Sequence, residues 1–316
     1  MKCRKMHEPR PCQCRKYLIF TALLLFITPN HLCGFAISQQ TASGFSGQND
    51  ATRSQMAARA EAQALKARKS GDLPSALNIL LQATQAAPEE PKLALDLGLV
   101  ELEMSLNEDS LNTFQRAHQT WPGDLDILYG LARAELAVEH MPEAETHLRQ
   151  YLQNKPGDAT AHYGLGRVLQ MQERADEAVS EFQASISLQP QQTESYYEKG
   201  QIALDQNSLA EAERNFQIVL ASDPRHGGAL TGAGIVAHRQ KKYQDADRYL
   251  KQAVQIAPNY RAAHYYYGLN LARLGQTEES NRELQKAVEL DRSSKPAKRQ
   301  RPSVVTPGAG PPVQPR

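Results

Sequence analysis

Several residue groups in this chain have types and spacings that chemistry uses, and each is weighed first against its surroundings. Gly232-Ala-Gly234-Ile-Val-Ala237 fits Gly-x-Gly-x-x-Gly/Ala, which admits a pyrophosphate where a strand turns into a helix. Here no strand precedes it, and the segment reads as helix interior. Cys3, Cys12, Cys14 and nearby His7 offer soft metal ligands. Structural zinc sites space paired cysteines two to four residues apart, whereas one residue separates Cys12 from Cys14, and Pro9 and Pro11 crowd them. Ser46 lies in Gly44-Phe-Ser-Gly47, linker-like sequence rather than a strained nucleophile elbow. There is no His-Glu-x-x-His, and Glu139, His140 and His147 read as solvent-facing. His162 and His264 recur at one helical position and read as satisfied core histidines. No catalytic residue, cofactor site or metal site is therefore expected, and the chain reads as non-enzymatic.

What must position any functional residue is a repeat. Prolines fall at Pro88, Pro122, Pro156, Pro190, Pro224 and Pro258, each 34 residues after the last. With proline near 5% of residues, five such coincidences have odds of about three in ten million. The register divides 57–294 into seven units: 57–90, 91–124, 125–158, 159–192, 193–226, 227–260 and 261–294, with Arg292 where the last proline would stand.

Two columns are small. The eighth place reads Ala64, Gly98, Ala132, Gly166, Gly200, Gly234, Gly268, and the twentieth reads Ala76, Ser110, Ala144, Ala178, Ala212, Ala246, Ser280. Four residues on, the residue is always large and apolar: Leu80, Phe114, Leu148, Phe182, Phe216, Leu250, Leu284. Small residues let two helices approach, and the large one fills the space beside them. Pro74 and Pro142 mark the start of second helices, where a missing N–H costs nothing. Asp109, Glu143, Glu177, Glu211, Asp245 and Glu279 share a first-turn column that favours acids against the helix dipole. The 34-spaced prolines end the second helices.

The pattern resembles the tetratricopeptide repeat, with its Trp-x-x-Leu-Gly-x-x-Tyr, Ala-x-x-x-Phe and Pro over 34 residues. The fourth unit matches best through His162, Leu165, Gly166, Leu169, Ala178, Phe182 and Pro190, departing at His162 for tryptophan and Leu169 for tyrosine. The first departs most, with Gln63-Ala64 for Leu-Gly, as end repeats do. The resemblance implies an all-α, right-handed superhelical solenoid of seven helix-turn-helix repeats. It also implies a concave groove, lined by the first helices, that holds a protein or peptide segment.

The fifth place of those helices reads Glu61, Leu95, Tyr129, Tyr163, Tyr197, Thr231, Tyr265, and the ninth Leu65, Leu99, Arg133, Arg167, Gln201, Ile235, Leu269. A four-residue offset puts each pair on one helix face. Tyr129, Arg133, Tyr163, Arg167, Tyr197, Gln201 and Tyr265 are the candidate partner-binding residues, with Gly130, Gly164 and Gly232 leaving space over the stripe. Tyrosine and arginine are hot-spot residues, and arginine forks onto carboxylates, so the expected partner segment is extended and acidic. The family's clamp for chaperone C-termini needs lysine and asparagine where Glu61, Leu65, Asp96, Asp126 and Gly130 stand, so that recognition is not expected.

The ends differ from the body. Residues 1–38 hold six basic side chains and one acidic, residues 295–316 five basic and none acidic, and residues 39–294 hold 25 basic and 34 acidic. An acidic body argues against a nucleic-acid surface, because phosphate binding is driven by clustered cations, and no nucleic-acid partner is expected. The uncharged run Tyr17–Thr28 is too short for a span and fits a signal-peptide core, with Ala36 and Ser38 placing cleavage before Gln39. An uncleaved anchor over 17–37, associating with the membrane, is the alternative. Both readings use the general secretion route and place the body in the periplasm, free or membrane-anchored. Residues 39–56 read as flexible linker and 295–316, with six prolines, as a disordered basic tail. The function expected is an exported scaffold in envelope-associated assembly, since the resemblance includes bacterial envelope proteins assisting outer-membrane, pilus or polysaccharide assembly. The alternative is a regulatory or substrate-presenting module of a separately encoded enzyme.

Overall fold

The computed structural model describes residues 42–294, with side chains from 52 to 293. The expected signal or anchor, the four cysteines, Ser46 as a side chain and the tail lie outside those residues. The chain divides into units 1–49 and 50–316, and the helix pairs lie in the second.

All described secondary structure is helical. The first helices are α1 (Ala42–Lys69), α3 (Pro91–Glu103), α5 (Leu125–Ala137), α7 (Ala159–Met171), α9 (Thr193–Asp205), α11 (Gly227–Arg239) and α13 (Arg261–Arg273). The second helices are α2 (Leu73–Ala86), α4 (Asn107–Thr120), α6 (Met141–Asn154), α8 (Ala175–Leu188), α10 (Leu209–Ser222), α12 (Tyr243–Ile256) and α14 (Thr277–Ser294). Each second helix packs on the first helix of the next repeat, which makes a solenoid of helical repeats. One expectation is corrected. The linker placed at 39–56 is helical from Ala42 onward: Ala57 and Ala64 are buried with α2, and the good helix formers Ala51, Arg53, Gln55 and Met56 carry the helix back from that contact.

Proline follows the helix-ending residue at each repeat boundary, and the same few residues start the next helix. Asp158 illustrates this: its carboxylate accepts from the N–H groups of Thr160 at 2.9 Å and Ala161 at 3.0 Å, capping α7. Asp124 caps α5 in the same way.

The turn inside each repeat has its own period. Gly71, Ser105, Glu139, Glu173, Asn207, Lys241 and Gly275 all have positive φ, between 57° and 80°, at intervals of 34 residues. The N–H that follows each one donates back across the helix end, as from His140 to the Glu135 carbonyl at 2.9 Å and from Arg174 to the Leu169 carbonyl at 2.9 Å. This is the left-handed closure of a helix C-terminus, which glycine adopts freely and other residues adopt at a cost.

The glycines carry the packing. A Cβ on Gly98 would meet the Phe114 ring at 2.5 Å, and one on Gly130 would meet the same ring at 2.2 Å. Phe216 is held likewise between Gly200, at 2.8 Å, and Gly232, at 2.4 Å. One ring thus fills the gap between its own first helix and that of the next repeat. Gly130 and Gly232 do not open space over a groove, as their neighbours in sequence suggested; they admit a phenyl ring from behind. A Cβ on Gly234 would meet Leu250 at 2.5 Å, so the dinucleotide-like glycine is a packing residue. The two serines in the small twentieth column stay buried by donating to the facing eighth-place carbonyl, Ser110 to Gly98 and Ser280 to Gly268, both at 2.8 Å.

The histidines are engaged as well. His162 Nε2 donates to the Pro156 carbonyl at 3.1 Å and Nδ1 lies 2.6 Å from Glu181; His264 repeats the arrangement with Pro258 at 2.9 Å and Glu283 at 2.6 Å. His147 is not solvent-facing as expected: its Nδ1 meets the buried Glu135 at 2.8 Å, because the two face each other across the helix pair.

Two substitutions test this frame. Gly166→Leu, which must displace Phe182 from where a Cβ would come within 2.6 Å of it, destabilises by about 1–3 kcal/mol or more. Glu139→Gly relieves a left-handed residue and stabilises by about 0.5–1 kcal/mol. Denaturant unfolding reads both, and a parent-like midpoint for Gly166→Leu contradicts the packing described.

Candidate partner-binding groove

The first helices of successive repeats touch directly at α3–α5, α5–α7, α9–α11 and α11–α13, while among the described residues no two second helices approach comparably. The first helices therefore lie on the shorter, inner side of the curved stack, and their fifth and ninth places are the positions to inspect.

In the third repeat the half-buried Tyr129 ring stacks on Tyr151 at 4.8 Å between centroids, tilted 28°. Tyr151 is itself fixed by its hydroxyl, which donates to Asp158 Oδ2 at 2.8 Å. The exposed Arg133 guanidinium stands 5.9 Å from the Tyr129 ring centroid, over its face. Burial raises the Tyr129 phenol above its ordinary pKa, and the Arg133 charge opposes that rise.

The fourth repeat is wired more tightly. Tyr163 leans on Phe182 at 5.8 Å, and its hydroxyl accepts from Arg167 Nη1 at 3.2 Å. Arg167 also pairs with Glu198 Oε1 at 3.4 Å, a contact that crosses from α7 to α9. Burial works against the Arg167 charge, yet Tyr163 and Glu198 outweigh it and hold the pKa above the ordinary value. In the fifth repeat Tyr197 leans on Phe216 at 6.1 Å and on His226 at 5.0 Å, and its hydroxyl accepts from Gln201 Nε2 at 3.2 Å. Burial, with the neighbouring Tyr260 phenol, raises the Tyr197 pKa.

The six residues Tyr129, Arg133, Tyr163, Arg167, Tyr197 and Gln201 thus form three bonded or stacked pairs on three consecutive first helices. Tyr265 stands apart. It is exposed and meets the Tyr266 ring edge-on at 5.2 Å, while the intervening Thr231 and Ile235 are buried. Sequence reading missed Glu198, which answers the Arg167 charge, and Tyr151, which supports Tyr129. Glu198 sits one place after the tyrosine column, and only the crossing from one repeat to the next makes it a partner. Among the described residues, Arg133 is the cation of the stripe without a carboxylate partner.

Arg133 and Arg167 consequently differ. Arg133→Glu leaves the unfolding midpoint unchanged, whereas Arg167→Glu sets two carboxylates together and destabilises by on the order of 1 kcal/mol, a value limited by solvent screening. Glu198→Gln in the Arg167→Glu background recovers much of that loss. Equal effects of the two single reversals contradict the pairing.

The chain was compared with known proteins. The family model for the tetratricopeptide repeat matches residues 61–125, 129–193 and 197–261, together more than half of the chain. A tetratricopeptide repeat protein from Parabacteroides merdae is similar at TM-score 0.59 and 16% identity, covering 75% of this chain and 93% of that one. PilF of Pseudomonas aeruginosa is similar at 0.56 and 17%, covering 66% and 93%. A chain of the Cut9–Hcn1 hetero-tetramer of the APC/C is similar at 0.64 and 16%, covering 72% of this chain and 45% of that one. At these identities the likeness is one of fold. Comparison with curated proteins gives no match.

Proposed function

This chain belongs to the tetratricopeptide repeat family, a fold of protein-binding scaffolds, and from that premise we propose that it is a non-enzymatic exported scaffold holding an extended, acidic protein segment against α5, α7 and α9. The observation that carries the reading is the ladder of aromatic faces, each backed by core and each bearing a polar head: Tyr129 with Arg133, Tyr163 with Arg167, Tyr197 with Gln201. Rigid, pre-supported tyrosines give contact area at little entropic cost. Exposed Arg133, with no carboxylate partner among the described residues, provides the point where a carboxylate of the segment docks and fixes its register.

Export is proposed from Tyr17–Thr28 and the small residues Ala36 and Ser38, which support passage by the general secretion route. An envelope-associated assembly role is the setting this implies. No helix of the described residues is long and apolar enough to cross a membrane, and the segment 17–37 lies outside them. Protein recovered from the exported fraction begins at or near Gln39; an intact N-terminus in the membrane fraction establishes the anchored form.

Binding is tested by crosslinking in the native host, identification of the captured protein, and measurement of its affinity for variants. Arg133→Glu weakens binding about tenfold or more, close to 1.4 kcal/mol, with the loss largest at low salt. The control is Arg214→Glu on the outer helix α10, since Arg149 is engaged by Glu145 and Glu177 and its reversal is not neutral. Equal loss from Arg214→Glu, with none from Arg133→Glu, moves binding off the first helices.

A further inference from the structure

Away from the groove, α2, α3 and the length of α4 border an open pocket of about 670 Å³, with exposed Asn112, Gln115 and Gln119 on its α4 side. At its wall lies Glu101, only 5% exposed, and its Oε2 has no hydrogen-bond partner among the described residues. Leaving a buried carboxylate oxygen unanswered costs folding free energy, so the position calls for a function. The next repeat shows what answers the same atom. Glu135, 34 residues on, is 3% exposed and meets His147 Nδ1 at 2.8 Å. The residue 34 before His147 is Thr113, which is buried and lines the pocket. In one repeat the chain supplies an N–H donor to the buried carboxylate; in the other it supplies Thr113, which hydrogen-bonds the Glu101 carboxyl but leaves Oε2 unanswered.

The remaining walls describe the ligand. Leu77, Leu81 and Leu106 give an apolar approach, and Leu81 is 40% exposed. Asp109 adds a second acid at the rim. Arg116 also lines the pocket, but its Nε donates to the Asn112 carbonyl at 3.2 Å and it does not satisfy Glu101 Oε2. Among the described residues no three His, Cys, Asp or Glu side chains converge to hold a metal ion. One free oxygen suits a single-point ammonium better than a guanidinium, whose fork seeks two.

We propose that this pocket is a second binding site, distinct from the groove, that takes an alkylammonium group: the aliphatic stem lies over Leu77, Leu81 and Leu106, and the buried Glu101 carboxylate turns toward the pocket so that Oε2 accepts from the charged head, as Glu135 accepts from His147. The site acts as a lysine-type receptor on the outer side of the second repeat. Burial raises the Glu101 pKa against the help of Thr113, so an arriving ammonium stabilises an ion that the fold alone disfavours.

The test uses the full chain, labelled with nitrogen-15, titrated with Nα-acetyl-lysine amide and with butylamine. Saturable amide shifts are expected around Leu106–Arg116. They weaken at least about tenfold in Glu101→Gln and vanish for Nα,Nε-diacetyl-lysine amide, whose head carries no charge. Thr113→His, which installs the third-repeat pair, abolishes the shifts and raises the melting temperature. Binding of both amines shows that stem and head suffice, as for a free amine; binding of the lysine derivative alone assigns the site to a protein lysine. Absence of saturable shifts for both amines on the folded chain overturns the proposal, and so does undiminished binding by Glu101→Gln.

Discussion

The structure depends on how closely one first helix can approach the next across a single large side chain. Phe114 has no room for a Cβ on either Gly98 or Gly130, and Phe216 none on Gly200 or Gly232. The ring is the spacer that sets the distance between repeats, and glycine is what allows helices to close on it. Where Leu148 replaces phenylalanine, the facing Gly164 is under no such pressure, since its Cβ would sit 3.7 Å away in ordinary contact. A solenoid built of nearest-neighbour contacts spreads this constraint along its whole length, because no repeat buries its apolar face alone.

The same spacers support the candidate groove. Phe182 lies behind Tyr163 and Phe216 behind Tyr197, so the residues that fix the stack also fix the aromatic faces it presents. In the third repeat, where the spacer is Leu148, Tyr129 rests on Tyr151 instead, and that ring is held by Asp158, the residue that caps α7. Helix start, ring support and half-buried tyrosine form one chain of contacts. The polar heads then differ by what crosses the repeat boundary: Glu198 reaches Arg167, and nothing comparable reaches Arg133.

The fold was legible because its causes are local and periodic. Proline spacing, two small columns and one large column each report a contact made in every repeat, and the helix pairs follow them. Five of the seven left-handed turn residues were not legible, because serine, glutamate and lysine give no outward sign of positive φ and a single asparagine gives only a weak one; the other two are glycines. The helix over 42–56 was missed because glycine-rich composition spoke for a linker while contact with α2, invisible in the local sequence, favours helix from Ala57. In the groove, residue identity and helix face were legible and charge balance was not. Whether an arginine is free depends on the next repeat, as Glu198 shows for Arg167, and the same holds for the buried acids, where His147 answers Glu135 and Thr113 leaves Glu101 open.

The central claim is that the inner faces of α5, α7 and α9 are where a partner segment lies. Photo-crosslinking residues placed one at a time at 133, 167 and 201 in the native host test it most directly, with 214 and 248 on the outer helices for comparison. The account predicts that the three inner positions capture one and the same protein, through a contiguous and acid-rich stretch of it, and that the outer positions do not. Capture of that protein from 214 or 248, with none from the inner three, would contradict it.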